Sequence, residues 1–332
     1  MNFGVIGYGY WGPNIVRNLV NLEDSHVLAI ADVDPVSRSR AQKAYPNIPV
    51  TGNAADVVCS NRIDAVAIIS PAFTHYELSK AALKNGKHIF VEKPFTSTAA
   101  QAEELIELAQ SRNLRIMVDH TFLFTGAVKK IGQLVQEGTL GNLYYYDSTR
   151  VNLGNLQHDI NVLWDLAPHD LSIMDHIINS TPEAVVATGQ RHLNDKEDVA
   201  FMTLYFPEKF IAHINVNWLS PVKVRTTLIG GEKRMLVWND LEADEKVKVY
   251  DKGVEASSKE GYYNLLVNYR SGDMWAPRLE QIEALQHELR YFVECITKAK
   301  DPFNDGRAGL RVVKMLEAAS QSLHNRGSLV YL

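Results

Sequence analysis

The sequence predicts an α/β protein in two parts: a parallel, doubly wound sheet first, then an α+β domain carrying a large, mainly antiparallel sheet. Three observations lead there. A short apolar strand, Asn2 to Ile6, runs straight into the glycine turn GYGYWG and a helical pattern. Apolar strand segments then alternate with helical ones as far as His120, the mark of parallel βαβ units. From Pro182 onward strand-like segments follow one another across short turns, and such neighbours pair antiparallel. The expected boundaries are 1–121 and 122–332.

The first turn places glycines at Gly7, Gly9 and Gly12, with Tyr10 and Trp11 between them. In a strand-to-helix turn the first glycine permits the bend and the second lets a pyrophosphate approach the backbone. The third lets the helix pack on the sheet. Pro13 suits the first helical turn, and Ile15, Val16, Leu19, Val20 and Leu22 continue at helical spacing. The second strand, HVLAIADVD, ends at Asp32, twenty residues after Gly12. An acid there accepts hydrogen bonds from a ribose and repels a 2′-phosphate, which favours NAD over NADP. Asp34 adds to that repulsion. The alternative is that Asp32 merely caps the next helix, and Arg38 and Arg40 keep NADP open as phosphate partners.

A weak third strand near Ile48 to Thr51 precedes Asp64 to Ser70, a β-branched run of the kind buried on both faces. It ends in SPAFTH, so Ser70 and His75 lie on the same edge as the glycine turn, His75 either capping the following helix or touching a cofactor. The fifth strand, HIFVEKP, delivers Glu92 and Lys93 to that edge, and Pro94 ends the pairing. In open parallel sheets ligands bind outside the carboxyl ends of the strands. Helix 97–112 and a strand from Arg115 to His120 complete a six-stranded Rossmann domain.

Composition narrows the class. With 332 residues and 46% apolar content the chain can build two sizeable cores. A net charge of −5, from 34 basic and 39 acidic residues without basic clusters, argues against nucleic acid or an anionic membrane as partner. Cys59 and Cys295 belong to no ligand cluster, and no apolar run approaches a membrane span. With no leader pattern at the N-terminus, a cytoplasmic protein is expected.

In the second part, helix 125–137 opens on Thr125, and LYYYDSTRVNLGN is strand-like. VLWDLAPHDLSIMDHII then reads as a helix with Pro168 in its first turn. Asp165 and His169, four apart, share a face if the helix already runs through that turn; otherwise Asp165 is a cap and His169 a core residue. For zinc, His158, Asp159 and Asp170 supply no convincing third and fourth ligand, so no metal is expected. Strands follow at 183–192, 198–206, 210–220, 222–230, 234–238 and 246–250. Strand 198–206 is apolar on both faces: Ala200, Met202, Leu204 and Phe206 on one, Val199, Phe201 and Tyr205 on the other. The free face calls for a second subunit, hence a homodimer or homotetramer. Gly253 to Pro277 reads as a long irregular loop, helices 279–298 and 307–325 follow, and 329–332 is a possible last strand.

GYGYWG, Asp32 and the EKP of Glu92, Lys93 and Pro94, with the Asp165-x-x-x-His169 element, resemble the Gfo/Idh/MocA oxidoreductases over the whole chain. The resemblance implies NAD-linked hydride transfer at a secondary alcohol, with Lys93, Asp165 and His169 catalytic and the bond before Pro94 cis. His169 suits the proton, and Lys93 the developing alkoxide. Asp165 can orient either. The cofactor set is Gly7, Gly9, Tyr10, Trp11, Gly12, Asp32, Ser70, His75, Glu92 and Lys93. Around the helix, STRVNLGNLQHDINVLWDLAPHDLSI resembles the branch acting on nucleotide-linked sugars, with C3 favoured by analogy. The substrate set is Lys93, Arg150, Asn152, Trp164, Asp165 and His169, unless Arg150 merely neutralises Asp147 or Asp159. Tyr262, Tyr263, Arg270 and Trp275 would suit a nucleotide. A free aldose or inositol-like polyol as substrate, and a non-catalytic NAD- or sugar-sensing regulator, stay open as alternatives.

Overall fold

The computed structural model describes residues 1–154, 159–256 and 267–332. His158, Tyr262 and Tyr263 lie outside them. Two compact units form, one from Met1–Phe124 with Ile282–Glu317, the other from Thr125–Gln281 with Ala318–Leu332. Beside the expected boundaries of 1–121 and 122–332, the chain leaves its first unit after Phe124 and returns to it at Ile282.

In the first unit, strands β1 (Asn2–Ile6), β2 (His26–Ala31), β3 (Val50–Thr51), β4 (Ala65–Ile68), β5 (His88–Glu92) and β6 (Ile116–Asp119) form one sheet. Its order is β3-β2-β1-β4-β5-β6, with every pair parallel. This is the Rossmann arrangement. β4 and β6 are buried along their whole length, as their unbroken apolar runs require. The connecting helices are α1 (Gly12–Val20), α2 (Pro35–Ala44), α3 (Ala54–Val58), α4 (His75–Lys84) and α5 (Ala99–Ser111). The returning segment belongs here because its apolar face completes the core. Phe292 packs tilted against Phe3 at 6.3 Å and Phe90 at 6.0 Å between ring centroids.

The second unit contains α6 (Gly126–Gln136), β7 (Leu143–Leu153), α7 (Val162–Ile177), β8 (Ala184–Gln190), β9 (Val199–Tyr205), β10 (Ile211–Asn217) and β11 (Leu219–Gly231). It continues with β12 (Met235–Asn239), β13 (Val247–Ala256) and β14 (Val267–Trp275). Helices α8 (Ala284–Thr297) and α9 (Gly306–His324) precede the closing strand β15 (Val330–Tyr331). The nine strands run β14-β13-β12-β11-β7-β10-β9-β8-β15. All pairs are antiparallel except β7 with β10, because β7 enters between strands made later in the chain.

Of the expected irregular stretch from Gly253 to Pro277 the described residues are largely sheet, with Gly253 opposite Arg270, and Val249 further along β13 opposite Trp275. Arg270 donates to Asp251 Oδ1 at 3.0 Å, so this residue ties the edge strand β14 to its neighbour β13. On β9, Ala200, Met202 and Leu204 are fully buried, whereas Phe201 and Tyr205 are each 42% exposed. Ile211, directly opposite Tyr205, is 40% exposed. The two-sided apolar strand thus leaves one face open in the single chain.

Candidate active site

The glycine turn leaves β1 and enters α1 under tight steric limits. Gly7 has φ +102°, and a Cβ on it would lie 2.2 Å from the carbonyl oxygen of Ile69; only glycine fits. A Cβ on Gly12 would lie 2.4 Å from the oxygen of Gly7, which is why the helix can start so close to the strand. At Gly9 an added Cβ meets nothing within 4 Å. That open side of the loop is where a pyrophosphate can approach the backbone.

Asp32 stands at the end of β2. Its Oδ2 accepts from the backbone N–H of Tyr8 at 2.6 Å and its Oδ1 from that of Asp34 at 2.8 Å. The carboxylate therefore fastens the glycine turn and still has lone pairs for a ribose. It caps no helix. Asp34 does that, accepting from Val36 and Ser37 amides, and these bonds, the one from Ser37 foremost, hold its carboxyl below the usual range. The two arginines bond to backbone: Arg38 donates to the carbonyls of Asp32 and Val33, each at 2.9 Å, and the exposed Arg40 to those of Tyr8 at 2.7 Å and Gly9 at 3.0 Å.

His75, 1% exposed, neither caps α4, whose N-cap is Thr74, nor faces outward. Its Nδ1 lies 2.8 Å from the carbonyl oxygen of Pro94 and its Nε2 2.9 Å from that of Ser70. One ring thus joins the chain just past β4 to the chain just past β5. The hydroxyl of Ser70 pairs with Thr74 at 2.6 Å. The Lys93–Pro94 bond is cis, and Glu92 folds back to accept from the N–H of Lys93. Lys93 so stands at the carboxyl edge of the sheet, in the same unit as the glycine turn and Asp32.

In the second unit α7 starts at Val162, capped by Asn161, whose side chain accepts from the N–H of Trp164 at 3.1 Å. Pro168 is consequently inside the helix, where it removes the N–H that would have bonded to Trp164. The early start puts Asp165 and His169 on one face, one turn apart. Asp165 accepts from the indole of Trp218 at 3.1 Å. Trp164 donates to Ser320 Oγ at 2.8 Å.

Arg150 is the clearest departure from expectation. It is 4% exposed, and its Nε and Nη2 grip Asp170 at 2.6 and 3.1 Å, neither Asp147 nor Asp159 being the partner. Tyr146, Ser148 and Arg150 alternate along β7, so all three project inward, and Ser148 donates to the same carboxylate at 2.7 Å. A guanidinium committed in this way pins α7 to the sheet and is not offered to a substrate. Asn152, two residues on, lies against Gly154.

Sequence reasoning missed a polar cluster at the end of β6: Asp119, His120, Glu288 and Asn304, each 3% exposed or less. A signal existed. Glu288 occupies an apolar-stripe position among Leu285, Leu289 and Phe292 on α8. Among the described residues no group of His, Cys, Asp and Glu could hold a metal ion, and no helix is long and apolar enough to cross a membrane.

Comparison with known proteins agrees with this layout. Residues 1–120 match the model described as "Oxidoreductase family, NAD-binding Rossmann fold", and residues 128–237 match the "GFO/IDH/MocA C-terminal domain". The UDP-N-acetylglucosamine 3-dehydrogenase of Acidithiobacillus ferrooxidans is 26% identical over 325 residues, 94% of each chain. Its structure superposes with a TM-score of 0.79 over 98% of each chain, at 23% identity. The myo-inositol 2-dehydrogenase of Thermotoga maritima is 24% identical across 99% of this chain and 98% of its own. Levoglucosan dehydrogenase, solved with NADH and L-sorbose, shares the fold at TM-score 0.82 and 18% identity, over 100% of this chain and 98% of that one.

Proposed function

Because the chain belongs to the GFO/IDH/MocA oxidoreductase family, we propose that it transfers hydride between NAD and a ring carbon of a nucleotide-linked hexose, C3 being the favoured position. It is an NAD(P)-binding dehydrogenase acting on CH–OH groups. The observation carrying the cofactor reading is the edge of the first sheet, where the open side of Gly9, the carboxylate of Asp32 and Lys93 belong to one surface of one unit. These residues fit a dinucleotide. Asp32 would take the ribose hydroxyls and the glycine turn the pyrophosphate. The preference for NAD over NADP is supported by Asp32 at the mouth of the loop, while Arg38 and Arg40 each have a nitrogen engaged on backbone carbonyls.

When bound, the nicotinamide takes up or returns the hydride. The chain's own residues manage the proton and the oxygen. Lys93 stabilises alkoxide character on the reacting oxygen, His169 exchanges the proton, and Asp165, held by Trp218 on the same face of α7, orients His169. The full-length likeness to a UDP-N-acetylglucosamine 3-dehydrogenase supports a nucleotide sugar. That to a myo-inositol 2-dehydrogenase supports the second reading, a cyclic polyol. A purely regulatory role is disfavoured because Lys93, Asp165 and His169 are all present. The open face bearing Phe201, Tyr205 and Ile211 is assigned to a second copy, which a light-scattering mass of one chain at micromolar concentration would refute.

The deciding experiment is a panel of UDP- and dTDP-sugars, free aldoses and inositols, followed by NADH formation and by thermal stabilisation of the NAD complex. Turnover of inositol or glucose with every nucleotide sugar inert would overturn the substrate assignment and leave the dehydrogenase standing.

A further inference from the structure

Beneath the glycine turn the first unit holds two carboxyl groups that the proposed chemistry does not use. Asp119 ends β6 at 3% exposure, and Glu288 on α8 is fully buried. Asp119 Oδ2 accepts from the indole N–H of Trp11 at 3.1 Å, and its Oδ1 from the single hydroxyl of Thr121. Glu288 Oε1 accepts from the backbone N–H of His120 and from the amide of Asn304, each at 3.1 Å. Asn304 is itself anchored, donating to the carbonyl of Val118 at 2.8 Å. No N–H or hydroxyl donor reaches Glu288 Oε2. The two carboxyl groups lie side by side, each close to the Thr121 hydroxyl.

Two ionised carboxylates buried side by side repel each other with no solvent to screen them. One of the two therefore holds a proton. Burial raises both acids, and the proton resides on Glu288 because both oxygens of Asp119 receive donors that favour the charged form while Oε2 receives none. Burial and the charge of Asp119 push Glu288 well above the usual carboxyl range, in agreement. The titratable neighbours are His120 and, beyond it, Lys93; burial and the Lys93 charge hold the His120 imidazole down to about 3, so it stays neutral.

Trp11 is the N-cap residue of α1, yet its side chain makes no capping bond to the helix. The indole bond to Asp119 fixes that end of the glycine turn. We infer that Asp119 is a positioning residue for the cofactor loop, holding Trp11 with a carboxylate whose charge is tolerated only while Glu288 keeps its proton. Cofactor affinity is therefore coupled to that proton. This rests on the NAD reading above. Losing the proton puts two like charges into a dry site, and the relief open to Asp119 is to withdraw from Trp11.

The test uses the full-length protein. In Glu288→Gln the amide nitrogen replaces the acid proton toward Asp119, and the amide oxygen keeps the His120 and Asn304 bonds. Infrared difference spectra should show a protonated carboxylic acid at neutral pH that is absent in this variant. By calorimetry, wild-type NAD affinity should weaken roughly tenfold or more from neutral to alkaline pH, as a shift of one pKa unit or more on binding requires. E288Q should lose that component. Trp11→Phe and Asp119→Leu should each weaken NAD at neutral pH, and their double variant no further, because both remove the Trp11–Asp119 bond. An E288Q profile parallel to wild type, or additive effects of W11F and D119L, would overturn the inference while leaving NAD binding intact. A wild-type protein that binds no NAD removes the underlying reading and the inference with it.

Discussion

The indole of Trp218 donates to Asp165 Oδ2 at 3.1 Å, tying the face of α7 that also carries His169 to the turn between β10 and β11. Trp218 is 1% exposed, so its ring and its one polar atom are both committed. Trp218→Phe keeps most of the packing and deletes the bond. It should lower kcat about tenfold, the scale of one hydrogen bond to a charged group, and leave the NAD dissociation constant unchanged. Steady-state kinetics beside calorimetry separate the two; unchanged kcat would remove Asp165 from the chemistry.

Lys93→Ala and His169→Ala should bind NAD much as the parent does and lose turnover by about 10²-fold or more, the usual contribution of a positioned acid–base group. Near-normal turnover in either would sink the mechanism.

At Asp32 the structure sharpens the expected outcome. Asp32→Ser removes the ribose acceptor and the repulsion of a 2′-phosphate, so the ratio of NADP to NAD affinity should rise at least about tenfold. Because Asp32 also fastens the amides of Tyr8 and Asp34, affinity for both cofactors should drop together with the switch. An unchanged ratio would falsify the ribose assignment.

The buried pair in the second unit gives a stability prediction. Arg150→Met strands the Asp170 carboxylate and should cost about 3–5 kcal/mol, whereas Arg150→Met with Asp170→Leu should recover most of the loss. Denaturant midpoints of both variants test this. A single variant as stable as wild type would show that Arg150 is not the anchor of α7.

His88 predicts the acid limb of stability. Its Nδ1 accepts from the backbone N–H of Arg115 at 2.9 Å, which only the neutral ring can do. Burial, then the Arg115 charge, depress it from 6.5 to about 4. The unfolded chain therefore binds this proton first, so the contribution is fully present above about pH 6.5 and drains away as pH falls toward about 4. Urea midpoints should drop between pH 7 and pH 5, and less so in His88→Gln. Equal pH slopes for the two proteins would contradict it.

Much of the first unit was legible because local signals and tertiary demands coincide there: glycine spacing and β-branched strands each had one sensible reading, and of the two open for Asp32 the helix cap falls to Asp34. Most of the second unit's strands were legible too, although β14 lies in a stretch read as loop, and their order was not, since nothing local says that β7 pairs with β10 and β11. Arg150 was misread because a strand-end arginine looks the same whether its partner is a ligand or a helix residue twenty positions on. His75 was ambiguous for the same reason: its two carbonyl partners, at Ser70 and Pro94, come from different strand ends. Glu288 could have been flagged, since a carboxyl in an apolar stripe needs a partner, yet its partner Asp119 is remote in sequence.

The return of Ile282–Glu317 to the first unit bears on how the protein is made. During synthesis residues 1–124 emerge long before Phe292, so Phe3 and Phe90 must wait for the ring that covers them. At roughly 5–20 residues per second the wait through residues 125–281 is on the order of ten seconds or more. The nascent chain spends that time with an unfinished apolar face, a natural client for a holding chaperone. A chain cut short before Ile282, by a premature stop or a protease, would forfeit the nucleotide-binding half together with its own tail.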